Sequence, residues 1–179
     1  MKTLIVCASR YGATMEIGRW IADRLPWKET EVVSVTEDPD PSGFELVFLG
    51  GGVYNEKVGK PIVQYAQKRL EALAGKYLAA FAVCLDTKGV YMKGRFFGGW
   101  LYLQPLLDAL CDHPPLYAGV LSGEIIPKKL TEKDYNLLMH FYTRILKRDI
   151  TEVPYRTLMD KRQVWDFTEK VLHRLEGHF

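Results

Sequence analysis

Residues 3–14 read Thr-Leu-Ile-Val-Cys-Ala-Ser-Arg-Tyr-Gly-Ala-Thr: a short apolar run that empties directly into small and hydroxyl-bearing residues. The first half has the length and composition of a buried parallel strand, Thr3–Ala8. The second half suits a turn that opens a helix, because Ile17, Ile21 and Leu25 follow at helical spacing. A strand that feeds a helix through such a turn aims several backbone N–H groups at one point, and the helix dipole adds partial positive charge there. Ser9, Arg10, Tyr11, Gly12, Ala13 and Thr14 are therefore candidate phosphate-binding residues. Ser9 and Thr14 bring hydroxyl donors, Gly12 permits close approach, and Arg10 adds charge. A plainer reading stays open, in which Ser9 caps the helix and Gly12 turns the chain. Neither GxxxxGK[ST] nor GxGxxG occurs, so the other common phosphate loops are poor matches.

Working outward, four more apolar segments repeat the strand signal: Glu31–Thr36, Glu45–Gly50, Leu78–Leu85 and Leu116–Ser122. Helical spacing lies between and after them. Ile62, Tyr65, Ala66, Leu70 and Leu73 form one stripe; Trp100, Leu103, Leu107 and Leu110 place a helix over Gly94–Leu110. Val164, Phe167, Val171 and Leu175 form another within Lys161–Leu175. Strand-helix alternation with right-handed crossovers predicts an α/β fold: a five-stranded parallel sheet of order 2-1-3-4-5, sandwiched between helices in three layers. Pro127–Arg148 departs from the repeat. Thr131 can cap a helix there carrying Tyr135, Leu138, Met139, Tyr142 and Leu146, and the segment reads as an insertion within a single domain, 1–179.

Composition bounds the function. Hydrophobic residues make up 47% and charged residues 26% of the 179, so a packed core is expected and disorder is not. A net charge of +2, with dispersed Lys and Arg, excludes an electrostatic nucleic-acid binder. Cys7, Cys84 and Cys111 form no CxxC pair, which argues against a zinc site or a disulfide scaffold. No apolar run nears the ~20 residues of a membrane span, and the chain start lacks a signal-peptide layout, so a cytoplasmic protein is expected.

Ligands of open parallel sheets sit beyond the carboxyl ends of strands where chain order reverses, here between the first and third strands. After the third strand comes Gly50-Gly-Gly-Val-Tyr-Asn55, whose glycines let a flat ring approach backbone and whose Tyr54 offers it an aromatic surface. Gly51, Gly52, Val53, Tyr54 and Asn55 are candidates on that basis, although the glycines can also simply end the strand. The loop after the fourth strand supplies Leu85, Asp86, Thr87, Lys88 and Gly89. Catalytic side chains are not identified, since His113, His140, His173 and His178 are scattered through the later half.

Taken together, these residues resemble the flavodoxin superfamily. Within it the chain is similar to the menaquinone-dependent protoporphyrinogen dehydrogenase family, on the Ser9-Arg-Tyr-Gly-Ala-Thr14 turn, Tyr117-Ala-Gly-Val-Leu121, Phe141-Tyr-Thr-Arg-Ile-Leu-Lys147 and Asp160–Phe167. Departures occur where that family tends to carry an Arg-Tyr-type pair, here Tyr54-Asn55, and in the segment from Asp86 to Tyr102. The resemblance implies FMN as cofactor, with its phosphate on the first turn, its ring near Gly51–Tyr54 and its pyrimidine end near Asp86–Gly89. It further implies an oxidoreductase that passes electrons from a reduced substrate, a porphyrinogen included, to a quinone or redox partner. An electron-carrying flavodoxin and a flavin-free interaction domain are the alternatives; net basic charge weighs against the carrier, whose family is generally acidic. Lys88–Tyr102 holds three cations and five aromatics, compatible with a lid, with a peripheral contact to a quinone-bearing membrane, or with a sheet-covering helix over its second half. A homodimer is compatible with the aromatic content.

Overall fold

A computed structural model describes residues 1–92 and 94–178; Lys93, one of the three cations just counted, lies outside the described residues. Five parallel strands run through the centre: β1 (Thr3–Ala8), β2 (Thr30–Ser34), β3 (Leu46–Tyr54), β5 (Tyr77–Cys84) and β8 (Tyr117–Ser122). They pair in the order β2-β1-β3-β5-β8, which is the expected 2-1-3-4-5 arrangement, and the short β4 (Lys57–Val58) adds to β3 antiparallel. Adjacent registers, Cys7 with Gly50 and Gly50 with Phe81, align the carboxyl ends of β1, β3 and β5 along one edge.

Side chains alternate across each strand, so both faces need cover. Ile5 and Phe48 face α1 (Ala13–Arg24) and α6 (Lys161–Glu176), which bury Ile17, Ile21, Phe167 and Val171 against them. On the other face, Leu4, Val6 and Leu49 meet α2 (Lys60–Lys68), α3 (Leu70–Leu73) and α4 (Gln104–Ala109), through Ile62, Leu73 and Leu106. Each of these apolar side chains is fully buried, and burial of that kind contributes roughly 1.5–3 kcal/mol. Three layers result.

The glycines of β3 are part of this packing. A β-carbon on Gly50 would stand 2.0 Å from Phe81 Cζ, and one on Gly51 would stand 2.6 Å from Val58 Cγ2. The strand therefore does not end at Gly50. It continues through Tyr54 and folds back into β4 by a two-residue turn, Asn55 and Glu56, both at positive φ (51° and 62°). Two left-handed central residues match the right-handed twist of a hairpin, and Asn tolerates that conformation well.

The helix expected over Gly94–Leu110 is corrected. Residues 90–97 instead form an antiparallel hairpin, β6 (Val90–Met92) and β7 (Arg95–Phe97), and the helical part is confined to a 3-10 turn, Gly99–Leu103, followed by α4. The reason is local. Gly94, Gly98 and Gly99 all take positive φ (77°, 78° and 55°), a conformation that interrupts a right-handed helix. Nor does the expected core role of its aromatics hold, because Phe97 and Trp100 are 37% and 57% exposed.

The segment after β8 behaves as an appendage to the sheet. It holds β9 (Glu124–Ile125), a 3-10 turn at Pro127–Lys129, α5 (Glu132–His140), a π-helical turn at Phe141–Ile145, and β10 (Arg156–Thr157), which pairs with β9. Thr131 caps α5 as expected, its hydroxyl accepting from Asp134 N–H at 3.2 Å. A small separate cluster of Ile125, Tyr142 and Val153 anchors the segment.

Candidate functional site

The turn after β1 lies at the carboxyl edge of the sheet and leads into α1 through Gly12, whose φ of 104° is accessible chiefly to glycine. Its shape is fixed from within by the Gly12 amide, which donates to Ser9 Oγ at 3.0 Å. Helix bonding begins only at Glu16, whose amide donates to Gly12 O, so the Ala13 and Thr14 amides have no intrahelical acceptor. Thr14 is just 2% exposed as a residue, but its hydroxyl, which makes no hydrogen bond among the described residues, is not one of the buried atoms left without a partner and so reaches the surface of the turn. Above this point a β-carbon placed on Gly12 would meet nothing within 4 Å except Lys129 Nζ, at 3.9 Å. An open cradle, two amides without an acceptor among the described residues and a hydroxyl donor suit a phosphate.

Arg10 and Tyr11 turn to a distant partner. Arg10 Nη1 is 2.5 Å from Asp134 Oδ2, and Tyr11 Oη donates to the same oxygen. The Thr131 amide in turn donates to Tyr11 Oη at 3.3 Å. Burial alone would raise the Asp134 pKa; hydrogen bonds from Tyr11 and Arg10, with the guanidinium charge, outweigh it and hold the carboxyl below its usual range. The first turn is thus clasped to the start of α5, 120 residues on.

Tyr54 spans the gap between the first and second loops. Its hydroxyl accepts the Arg10 amide at 3.1 Å, the Arg10 guanidinium lies 4.1 Å from its ring centroid, and the Tyr11 ring meets it edge-on at 6.3 Å. Burial raises the Tyr54 pKa, so it remains a neutral phenol. The ring folds over Gly52, where a β-carbon would come 2.7 Å from the hydroxyl. Val53 packs toward the sheet core, and Asn55 sits exposed in the hairpin turn. Of the three glycines, Gly52 is the one that makes room at this edge, and the expectation that a ligand ring lies against it is corrected: the Tyr54 ring itself takes the space.

The third loop closes on itself. Asp86 Oδ1 accepts the Gly89 amide at 3.0 Å, and Cys84 Sγ lies 3.2 Å from Asp86 O, its donor contact. Leu85 packs with the small Ile125 cluster, Thr87 is half-buried and Lys88 exposed. Gly98 approaches closely from the hairpin side: a β-carbon there would stand 2.9 Å from Tyr102 Oη and 3.0 Å from Asp86 Oδ2. Burial pushes both Cys84 and Tyr102 up to about 12, leaving a protonated thiol and a protonated phenol at this loop. The first turn and Tyr54 come together, while the third loop leaves the neighbouring strand β5 at the same edge of the sheet.

Sequence reasoning missed Lys129, Asp134, Cys84 and Tyr102 as neighbours of the site. Lys129 and Asp134 are brought in by tertiary folding of the segment after β8, which no local pattern announces. Among the described residues no group of three or more His, Cys, Asp or Glu side chains could hold a metal ion, and no helix is long and apolar enough to cross a membrane.

The family described as Flavodoxin domain matches residues 4–150 of this chain. The chain belongs to the flavodoxin-domain family. Several solved flavodoxin-like structures share its fold at low identity. Oxidised flavodoxin 1 from Bacillus cereus aligns at 15% identity with a TM-score of 0.57, covering 97% of this chain and 98% of that one. A Fusobacterium nucleatum flavodoxin bound to flavin mononucleotide aligns at 15% identity and a TM-score of 0.55, over 97% and 98% of the two chains. An NADPH-quinone reductase from P. pentosaceus aligns at 15% identity and a TM-score of 0.50, over 84% and 99%. Comparison with curated protein sequences returns no match. Membership of the flavodoxin-domain family supports a flavin-binding redox function.

Proposed function

We propose that this flavodoxin-domain protein is an FMN-dependent oxidoreductase that moves electrons from a reduced substrate, such as a porphyrinogen, to a quinone. The observation that carries the reading is the start of α1: the Ala13 and Thr14 amides have no acceptor among the described residues, the Thr14 hydroxyl makes no hydrogen bond there, and all three lie beside the open face of Gly12. FMN, when bound, supplies reversible two-electron uptake at its ring. The chain's own groups hold and tune it. Ser9, Thr14 and the Ala13 and Thr14 amides would receive the phosphate; Tyr54 offers an aromatic surface beside Gly52; Asp86–Gly89 bring backbone polar groups. Tyr102 and Cys84, both held protonated, add no charge of their own beside the Asp86 carboxylate at that end of the site.

A quinone acceptor is supported by the fold shared with the NADPH-quinone reductase, and by the hairpin. Val90, Tyr91, Phe97 and Trp100 are 51%, 72%, 37% and 57% exposed, with Arg95 and Lys88 beside them, the make-up of a face that rests on a quinone-bearing membrane. An electron-carrier function is the second reading, favoured by end-to-end similarity to two flavodoxins.

The test is an absorbance spectrum of the purified protein with FMN, through dithionite reduction and then addition of a menaquinone analogue. A bound flavin that is reduced and then reoxidised by the quinone is the expected result. Reduced flavin that persists with quinone but yields its electrons to a protein acceptor would establish the carrier, and the absence of flavin binding would overturn both.

A further inference from the structure

The first turn already contains a cation, Arg10, yet that cation is spent. Its guanidinium is paired with Asp134 and stacked on Tyr54, and Tyr11 donates to the same carboxylate. One negative charge and one positive charge cancel beside the loop, leaving the partial charge of α1 to face a phosphate monoester that bears about −1.5 to −2 at neutral pH. Lys129 is different. Its ammonium makes no hydrogen bond or ion pair among the described residues, and it lies 3.9 Å from the position a β-carbon would take on Gly12. It is carried there by the 3-10 turn Pro127–Lys129, closed by Lys129 N–H to Ile126 O at 2.9 Å and Leu130 N–H to Pro127 O at 3.1 Å. The Asp134 clasp on Arg10 and Tyr11, together with the Thr131 amide on Tyr11, ties that turn to the phosphate loop.

We propose that Lys129, from the segment after β8, is the side-chain cation that receives the FMN phosphate and makes the site prefer FMN to riboflavin. Asp134 acts as its positioning residue: it neutralises Arg10 and pins the start of α5 so that the Lys129 ammonium stands over Gly12. The inference rests on the FMN reading above and adds to it a residue from a segment remote in sequence.

The test is a pair of fluorescence-quenching titrations, FMN and riboflavin, on the wild-type chain and on Lys129→Met and Lys129→Arg. A charge-assisted contact of this kind predicts that Lys129→Met weakens FMN binding about tenfold, more at low salt than at high. Riboflavin affinity is expected to stay within twofold, and Lys129→Arg to restore most of the FMN preference. Equal weakening of both flavins would show a structural effect and overturn the inference, as would an FMN preference that survives intact in Lys129→Met. A wild-type chain that does not distinguish FMN from riboflavin would instead overturn the phosphate site itself, and the two failures are separable by which protein shows them.

Discussion

The turn after β1 and the hairpin after β5 leave the same edge of one sheet, and they are held in opposite ways. The turn is tied down from Ser9 to Gly12. Ser9 accepts from Gly12, Arg10 and Tyr11 reach Asp134, Tyr54 accepts from Arg10, and Thr14 is buried. The hairpin is held by its own strand pairing and by close glycine contacts at Gly89, Gly98 and Gly99, while Tyr91 on it and Trp100 in the 3-10 turn that follows stand in solvent. Rigid, polar and partly unmet groups mark a place built to grip a ligand; exposed aromatics on a short ribbon mark a face built to touch something larger. The difference separates cofactor binding from partner contact within one edge of the sheet.

The strongest way to break that distinction is to disarm the turn. Ser9→Ala with Thr14→Val removes two hydroxyls, each worth about 1.5–3 kcal/mol as charge-assisted hydrogen bonds to phosphate, and is expected to weaken FMN binding a hundredfold or more. Isothermal titration measures it, and a double variant with wild-type affinity would sink the phosphate assignment.

A medium effect is expected at the clasp. Asp134→Asn removes the charged acceptor shared by Arg10 and Tyr11, at a cost of about 1 kcal/mol to stability at pH 7, since Arg10 is half exposed and the pair is screened. The sign with pH follows from the depressed carboxyl. The folded state binds fewer protons than the unfolded one, so the stabilisation is present above the unfolded value of about 4 and is lost as pH falls through the lower folded value. Urea denaturation at pH 7 and at pH 3 should show the wild-type advantage shrinking at the lower pH; an advantage that grows there would contradict the clasp.

The smallest effect sharpens the other side of the comparison. Tyr91→Ser and Trp100→Ser, both well exposed, are expected to change stability by less than about 0.5 kcal/mol and to leave FMN affinity unchanged. Thermal melts with and without FMN check this. A large loss in either would mean that the hairpin belongs to the cofactor site after all.

How much of this was readable in the sequence varies with the range of the interactions. The five strands, the helices α1 and α6, and the Thr131 cap depend on local periodicity and capping chemistry, and they lie where residue spacing puts them. The glycine stretch of β3 was legible as unusual but not in its use, because Gly50 and Gly51 answer to Phe81, Val58 and Ile62, which come from other elements. The Gly94–Leu110 stretch misled because Trp100, Leu103 and Leu107 repeat at helical spacing while three left-handed glycines override them. Lys129 and Asp134 were out of reach altogether. Their place beside Gly12 and Arg10 is a product of the whole fold, and a sequence read segment by segment contains no signal for it.

The central claim is that the Ser9–Thr14 turn seats the FMN phosphate, and backbone amide NMR on 15N-labelled protein tests it most directly. Addition of FMN should move the Ala13 and Thr14 amide protons strongly downfield as they acquire an acceptor, while riboflavin leaves them near their free positions. Amide shifts that are the same with both flavins, or that are absent from residues 12–14 and concentrated elsewhere, would contradict the account.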